Sequence, residues 1–231
     1  MKYTTIFFDL DDTILDTVQN SKDSLQELYT DYRFDNYFSD FNSFYSKYQS
    51  INIHLWDLYE QNQIEKDRLM SERFAKTLEE HISIDTDKSL EINRDFMGRV
   101  SSRKNIITGA IEILDYLRPK YKMYVLSNGF TEVQDTKIRN AGVGEYFKKV
   151  ILSDHVGKNK PHPVIFNYAL QEACADAGDC IMIGDNIKTD IVGAKNSGID
   201  QVWFNPKGLE DKENVMPDYT IKSLDQLRDI L

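Results

Sequence analysis

Residues 3–9 are apolar until the chain meets Asp9, Asp11 and Asp12, a pattern that predicts a buried parallel strand opening at its C-terminal end into a loop. The periodicity then changes. From about Thr17 to about Arg103, apolar and aromatic positions recur at helical spacing, as in Leu25, Leu28 and Tyr32, then Phe38, Phe41, Tyr45 and Tyr48, then Leu55, Leu58 and Tyr59. This block contains a single glycine, Gly98, and no proline, which predicts packed helices joined by short polar turns. Beyond Ile107 the pattern alternates again. Helices are expected over 110–121, 132–141, 164–173 and 187–197, the last closed by Gly198, and strands over 123–127, 149–152, 180–183 and 201–204.

The predicted architecture is therefore α/β: a doubly wound parallel-sheet, Rossmann-like core interrupted after its first strand by an inserted helical cap domain. The core would comprise 1–16 and 104–231, and the cap 17–103. A chain of 231 residues, 41% hydrophobic and 29% charged, has the composition of a folded domain with a smaller companion. Its formal net charge of −10 argues against nucleic acid or an anionic membrane as a partner. The first residues lack the apolar core of a signal peptide and no window could span a bilayer, so a cytoplasmic protein is expected. Cys174 and Cys180 are too few for a disulfide framework or a four-ligand zinc site and read as buried free thiols. The histidines His54, His81, His155 and His162 show no paired metal spacing.

Candidate chemistry collects at four places. Asp9, Asp11 and Asp12, followed by Thr13, crowd carboxylates at a strand end, which is costly unless a cation or proton compensates; a solvated acidic loop is the alternative. Ser127, Asn128 and Gly129 supply a hydroxyl, an amide and a position where backbone N–H groups can approach an anion; a simple Asn-Gly turn explains them equally well. Lys158 and Lys160 precede a helix start marked by Pro161 and Pro163, and Lys160 is the better placed to reach a phosphate. Asp185 lies at a strand end and Asp190 about one turn into the next helix, a spacing that lets both face one hard cation such as Mg²⁺. Asp185 could instead cap that helix. Ionised Asp9, Asp185 and Asp190 together carry −3, which one Mg²⁺ and Lys160 would cancel; without the metal an anionic substrate would be repelled.

In this order and spacing the four segments resemble the haloacid-dehalogenase-like hydrolase superfamily, over residues 3 to about 205. The resemblance implies that Asp9 attacks phosphorus and that Asp11 serves as acid and then base. It also implies that Mg²⁺ is held by the Asp9 side chain, the Asp11 backbone carbonyl and Asp185, assisted by Asp190. Thr13, Ser127, Asn128, Gly129 and Lys160 would bind the phosphoryl group. Asp11 argues against a dehalogenase, since such enzymes resemble this pattern at the nucleophile but lack the second aspartate. A narrower likeness, to bacterial nucleotidases acting on pyrimidine nucleoside 5′-monophosphates, is carried by 55–60, 127–134 and 146–153, with Asn62 standing where a glycine is expected and His155 where an acidic residue is common. It implies a small phosphorylated substrate such as UMP, dUMP or dTMP; a monomer or homodimer is expected, since nothing in the sequence requires more than a monomer. For base recognition the candidates are Phe130, at the expected mouth of the site, and Trp56 and Tyr59, which also fit a core-packing stripe. A sugar-phosphate or phosphoglycolate phosphatase, a phosphoglucomutase using cap arginines among Arg68, Arg73, Arg94 and Arg99, and a receiver-like phosphoprotein are the competing readings.

Overall fold

A computed structural model of the chain describes residues 2–212 and 214–231. These divide into two compact units, one formed by the residues up to Thr17 together with Lys104–Leu231, the other by Val18–Arg103. The chain opens with β1 (Thr5–Phe8) and then runs through four long helices, α1 (Thr17–Asp31), α2 (Phe41–Glu60), α3 (Lys66–Leu78) and α4 (Thr86–Ser102). Asp40 and Asp85 start α2 and α4, each carboxylate accepting a backbone N–H three residues on, from Ser43 and Lys88, at 2.8 Å. The apolar stripes of these helices converge on Leu25, Leu28, Phe44, Tyr48, Phe74 and Phe96. Phe44 is the hub, its ring lying 5.0–5.6 Å from those of Phe34, Phe38 and Tyr29.

The remainder of the chain comprises α5 (Ala110–Leu117), β2 (Lys122–Ser127), α6 (Thr131–Ala141), β3 (Lys149–Leu152), α7 (Ser153–Val156), α8 (Pro163–Ala173), β4 (Cys180–Gly184), a π-helical turn (Ile187–Ile191) leading into α9 (Val192–Asn196), β5 (Asp200–Phe204) and β6 (Tyr219–Ile221). The six strands form one parallel sheet in the order β3-β2-β1-β4-β5-β6. Both faces are covered, which is why β1 is apolar at every position after Thr5. Ile6 and Phe8 pack with Ile113, Leu114, Val125 and Ile183 on one face, while Phe7 packs with Leu126, Phe166 and Met182 on the other. The doubly wound α/β fold with an inserted helical unit is the fold expected.

Three local expectations are corrected. The helix expected over 187–197 begins as a π turn, because the Asn186 carbonyl accepts from both Asp190 (2.9 Å) and Ile191 (3.4 Å), widening the first turn. Cys174 is exposed, not buried: it ends α8 at φ 48°, a left-handed position that turns the chain off the apolar face. Strand β6 lies beyond the expected elements, since its Tyr219-Thr220-Ile221 sequence is too short and polar to register as an apolar run. Among the described residues, no helix is long and apolar enough to cross a membrane.

Candidate active site

The strand order places β1 between β2 and β4, where the crossovers leave in opposite directions, so the carboxyl ends of these three strands border one crevice. Asp9 follows β1, Ser127 ends β2 and Asp185 follows β4. The carboxylates of Asp9, Asp185 and Asp190 each offer an oxygen, all within 4.8 Å of one another. Lys160 lies among them, 2% exposed, and uses all three ammonium donors: to Asp9 Oδ1 (2.6 Å), Asp190 Oδ1 (2.7 Å) and the Leu126 carbonyl (2.7 Å). Asn128 fixes the lysine's backbone from both sides, its Oδ1 accepting from the Lys160 N–H (2.7 Å) and its Nδ2 donating to the Lys160 carbonyl (3.1 Å). Asp190 also accepts the Asn186 N–H (3.1 Å), and it fits because Gly184 lacks a side chain: a Cβ there would lie 2.2 Å from Asp190 Oδ2.

Asp11 occupies a separate grip. Its Oδ1 accepts from Thr17 Oγ1 (2.5 Å) and Lys137 Nζ (2.6 Å), and its Oδ2 from Gln134 Nε2 (2.6 Å). The same Gln134 nitrogen donates to Ser127 Oγ (3.0 Å), which also accepts the Gly129 N–H (3.0 Å). With both lone pairs of that hydroxyl engaged, its proton is the group left to donate to an incoming oxygen anion. Thr13 is fully buried, with its hydroxyl directed to Asp185 Oδ1 at a long 3.5 Å.

Electrostatics separates the two aspartates. Burial pushes the Asp9 carboxyl up to about 8, against the pull of Lys160 and with the help of Asp190 and Asp11. Asp185 is raised well above the ordinary range, by burial first and then by Asp9 and Asp190. For Lys160, burial acts downward but is outweighed by Asp190 and Asp9, so its ammonium is held charged. For Asp11, burial acts upward but is outweighed by Lys137, Thr17 and Gln134, and the carboxyl is lowered. Three carboxylates thus share one buried ammonium. The shortfall of positive charge and the all-oxygen donor set fit a hard divalent cation.

Thus Asp9, Thr13, Ser127, Asn128, Gly129, Lys160, Asp185 and Asp190 share one end of the sheet, with Asp11 beside them. Phe130, expected at the mouth of the site, is 1% exposed, as suits a side chain that gains about 1.5–3 kcal/mol by leaving water. Trp56 and Tyr59 are half-buried on α2, paired edge-to-face at 5.6 Å and outside the aromatic core around Phe44. Gln134, the last residue of the 127–134 run, and Lys137 are assigned no role from sequence. The available signal was their spacing of three on α6, beside Val133 and Ile138, which puts polar side chains on a helix face that is buried.

Residues 3–198 match the family model described as haloacid dehalogenase-like hydrolase. The chain is 31% identical to the pyrimidine 5′-nucleotidase YjjG of Escherichia coli, over 100% of this chain and 99% of the relative. It is 29% identical to the pyrimidine 5′-nucleotidase PynA of Streptococcus pneumoniae, over 100% and 96%. Among solved structures it resembles the putative HAD-hydrolase YfnB of Bacillus subtilis bound to magnesium, with a TM-score of 0.90 and 28% identity over 100% of this chain and 99% of that one.

Proposed function

The chain belongs to the haloacid dehalogenase-like hydrolases and is one of their phosphatases; within that class we propose that it is a magnesium-dependent 5′-nucleotidase for pyrimidine nucleoside monophosphates such as UMP, dUMP and dTMP. The observation that carries this reading is the Asp9 carboxylate at the end of β1, bound to Lys160 and grouped with Asp185 and Asp190, with Asp11 on the same strand end. Full-length similarity to two pyrimidine 5′-nucleotidases supports the substrate class. In this reading 1–16 and 104–231 form the catalytic core and 17–103 the cap.

Asp9, Asp185, Asp190 and the Asp11 carbonyl would hold Mg²⁺, which when bound supplies the positive charge that lets an anionic phosphate approach three carboxylates. Ser127, Thr13 and the Asn128 backbone N–H would hold the phosphoryl oxygens, with Lys160 and the Gly129 N–H each giving up a present acceptor to join them. An Asp9 oxygen forms the new bond to phosphorus as the ester P–O bond breaks; Asp11, ionised in the free protein, would take up a proton from solvent as the phosphate binds and give it to the departing nucleoside oxygen. Asp11 then takes a proton from water as the water oxygen attacks phosphorus and the Asp9–phosphorus link breaks, releasing inorganic phosphate. Of the four arginines a mutase could use, Arg68 is engaged by Glu72, Arg99 by Asp31 and Asp95, and Arg73 is buried among amides and thioethers, while Arg94 is exposed.

The test is phosphate release from UMP, dUMP, dTMP, purine nucleotides and sugar phosphates, with Mg²⁺ or EDTA, for the wild type and Asp9→Asn. Metal-dependent turnover of the pyrimidine nucleotides, lost in Asp9→Asn, is expected. Turnover of sugar phosphates alone would retain the chemistry and reject the nucleotidase reading. Alanine variants of Phe130, Trp56 and Tyr59 in the same panel identify base-selecting rings by a changed ratio of UMP to sugar-phosphate turnover.

A further inference from the structure

We propose that Gln134 and Lys137, on one face of α6, are positioning residues that set the Asp11 carboxylate against the phosphoryl group seated at Ser127. The inference rests on the aspartyl-phosphate reading above. Lys137 Nζ meets Asp11 Oδ1 at 2.6 Å, and the Gln134 amide nitrogen bridges Asp11 Oδ2 (2.6 Å) to Ser127 Oγ (3.0 Å). One amide group therefore spaces the proton-transferring carboxylate from the hydroxyl that faces the phosphate. The bridge also explains Gly129: a Cβ at that position would lie 1.9 Å from Gln134 Nε2.

The arrangement is a poor way merely to fasten a helix. Gln134 is fully buried and its Oε1 has no hydrogen-bond partner among the described residues, a cost that an apolar side chain of similar volume would avoid. Turning the amide over would give Oε1 a place in the bridge only by setting it against the Asp11 carboxylate, so the orientation is dictated by Asp11 and Ser127. What these two side chains secure is a location. Both half-reactions need an Asp11 oxygen on the same side of phosphorus, first to give a proton to the ester oxygen as it departs with its electron pair, then to take one from the attacking water. Lys160 serves Asp9 and Asp190, whereas Lys137 serves Asp11, so nucleophile and proton carrier are held by separate cations.

The experiment compares Lys137→Met, Lys137→Arg and Gln134→Met with the wild type, in Mg²⁺, on UMP and on p-nitrophenyl phosphate, whose phenolate leaves without protonation. Both methionine variants are expected to lose about 10²-fold in kcat on UMP with KM changed less than about threefold. On p-nitrophenyl phosphate they should keep the first-turnover burst of p-nitrophenolate and accumulate phosphoenzyme in rapid-quench samples, because water attack now lacks its positioned base. Lys137→Arg should recover most of kcat. Burst rate and kcat falling together, a loss carried by KM, or wild-type kinetics would each overturn the proposal. Circular dichroism monitors folding; should Lys137→Met fail to fold, Gln134→Met decides by the same readouts. A wild type that turns over UMP beside variants that behave like it rejects this proposal alone, whereas a wild type that forms neither phosphoenzyme nor phosphate rejects the functional reading beneath it.

Discussion

Each unit of the molecule buries a cation at 2% exposure, Lys160 in the α/β unit and Arg73 in the helical unit, and the two are accommodated in opposite ways. Lys160 is surrounded by more negative charge than it can neutralise: it binds Asp9 and Asp190 directly, with Asp185 adjoining them. Arg73 has no carboxylate partner among the described contacts. Its Nε donates to Asn93 Oδ1 at 2.5 Å, a second nitrogen reaches Asn52 Oδ1 at 3.4 Å, a third faces the sulfurs of Met70 and Met97, and the Phe96 ring lies 5.4 Å from the guanidinium. Neutral dipoles and a ring face suffice for a delocalised, weakly hydrated cation. The surplus of carboxylates around Lys160 serves no such local balance, and it is this imbalance that makes the α/β unit the place of the proposed chemistry.

Removing Lys160 should produce the largest effect and would break the comparison if it did not. Lys160→Met leaves buried carboxylates without their ammonium, a change expected to cost about 3–5 kcal/mol of stability in EDTA. It also removes the ammonium bound to Asp9, the proposed nucleophile, for which a loss of about 10²–10³ in kcat is expected. Chemical denaturation and phosphate release measure the two separately. A variant that is fully stable in EDTA would show that the three carboxylates do not crowd one another as the geometry requires.

The parts of the site that sequence discloses are those in which chemistry follows directly on an apolar strand. Asp9, Ser127 and Asp185 stand where a buried run stops, and in a parallel sheet such stops gather along one edge, so the juxtaposition follows from the pattern. Lys160 is legible because prolines mark the helix start next to it. Gln134 and Lys137 are not, because a glutamine and a lysine on a short helix ordinarily belong to a solvated face, and only the fold shows Asp11 waiting opposite them. Arg73 is hidden for the same reason: an arginine on an amphipathic helix reads as surface, and its burial depends on Asn52 and Asn93, some 20 residues away in either direction. The π turn at 187–191 and the burial of Phe130 are likewise set by tertiary contacts.

A smaller effect, in the dependence of stability on pH, sharpens the account of the α/β unit. Asp9 is raised from 3.8 to about 8 and Asp185 is raised as well, in both cases by burial first and neighbouring carboxylates after it. Between those limits the folded metal-free protein holds protons that the unfolded chain has lost, so stability is greatest on the acid side of the window and falls as pH rises through it. In EDTA, Tm should therefore decline from about pH 5 to about pH 8. Saturating Mg²⁺ should raise Tm more at the upper pH, where it no longer competes with protons for the same oxygens. A Tm independent of pH, with an equal magnesium gain throughout, would contradict the charge surplus inferred around Lys160.

The smallest effect belongs to the helical unit. Arg73→Met keeps much of the side chain's apolar volume but deprives Asn93 Oδ1 of its 2.5 Å donor, and leaving a buried acceptor unmet costs about 1–3 kcal/mol. Because no carboxylate is abandoned, the loss should remain below that of Lys160→Met, and magnesium should not alter it. Replacing both partners, as in Arg73→Met with Asn93→Leu, removes the orphaned acceptor together with its donor and should restore most of the stability. Thermal and urea unfolding of the full chain compare the single and double variants. A double variant less stable than Arg73→Met would show that the guanidinium's neutral surroundings are not what satisfies it, and Arg73 would then have to be treated as Lys160 is, as a cation placed for an anion.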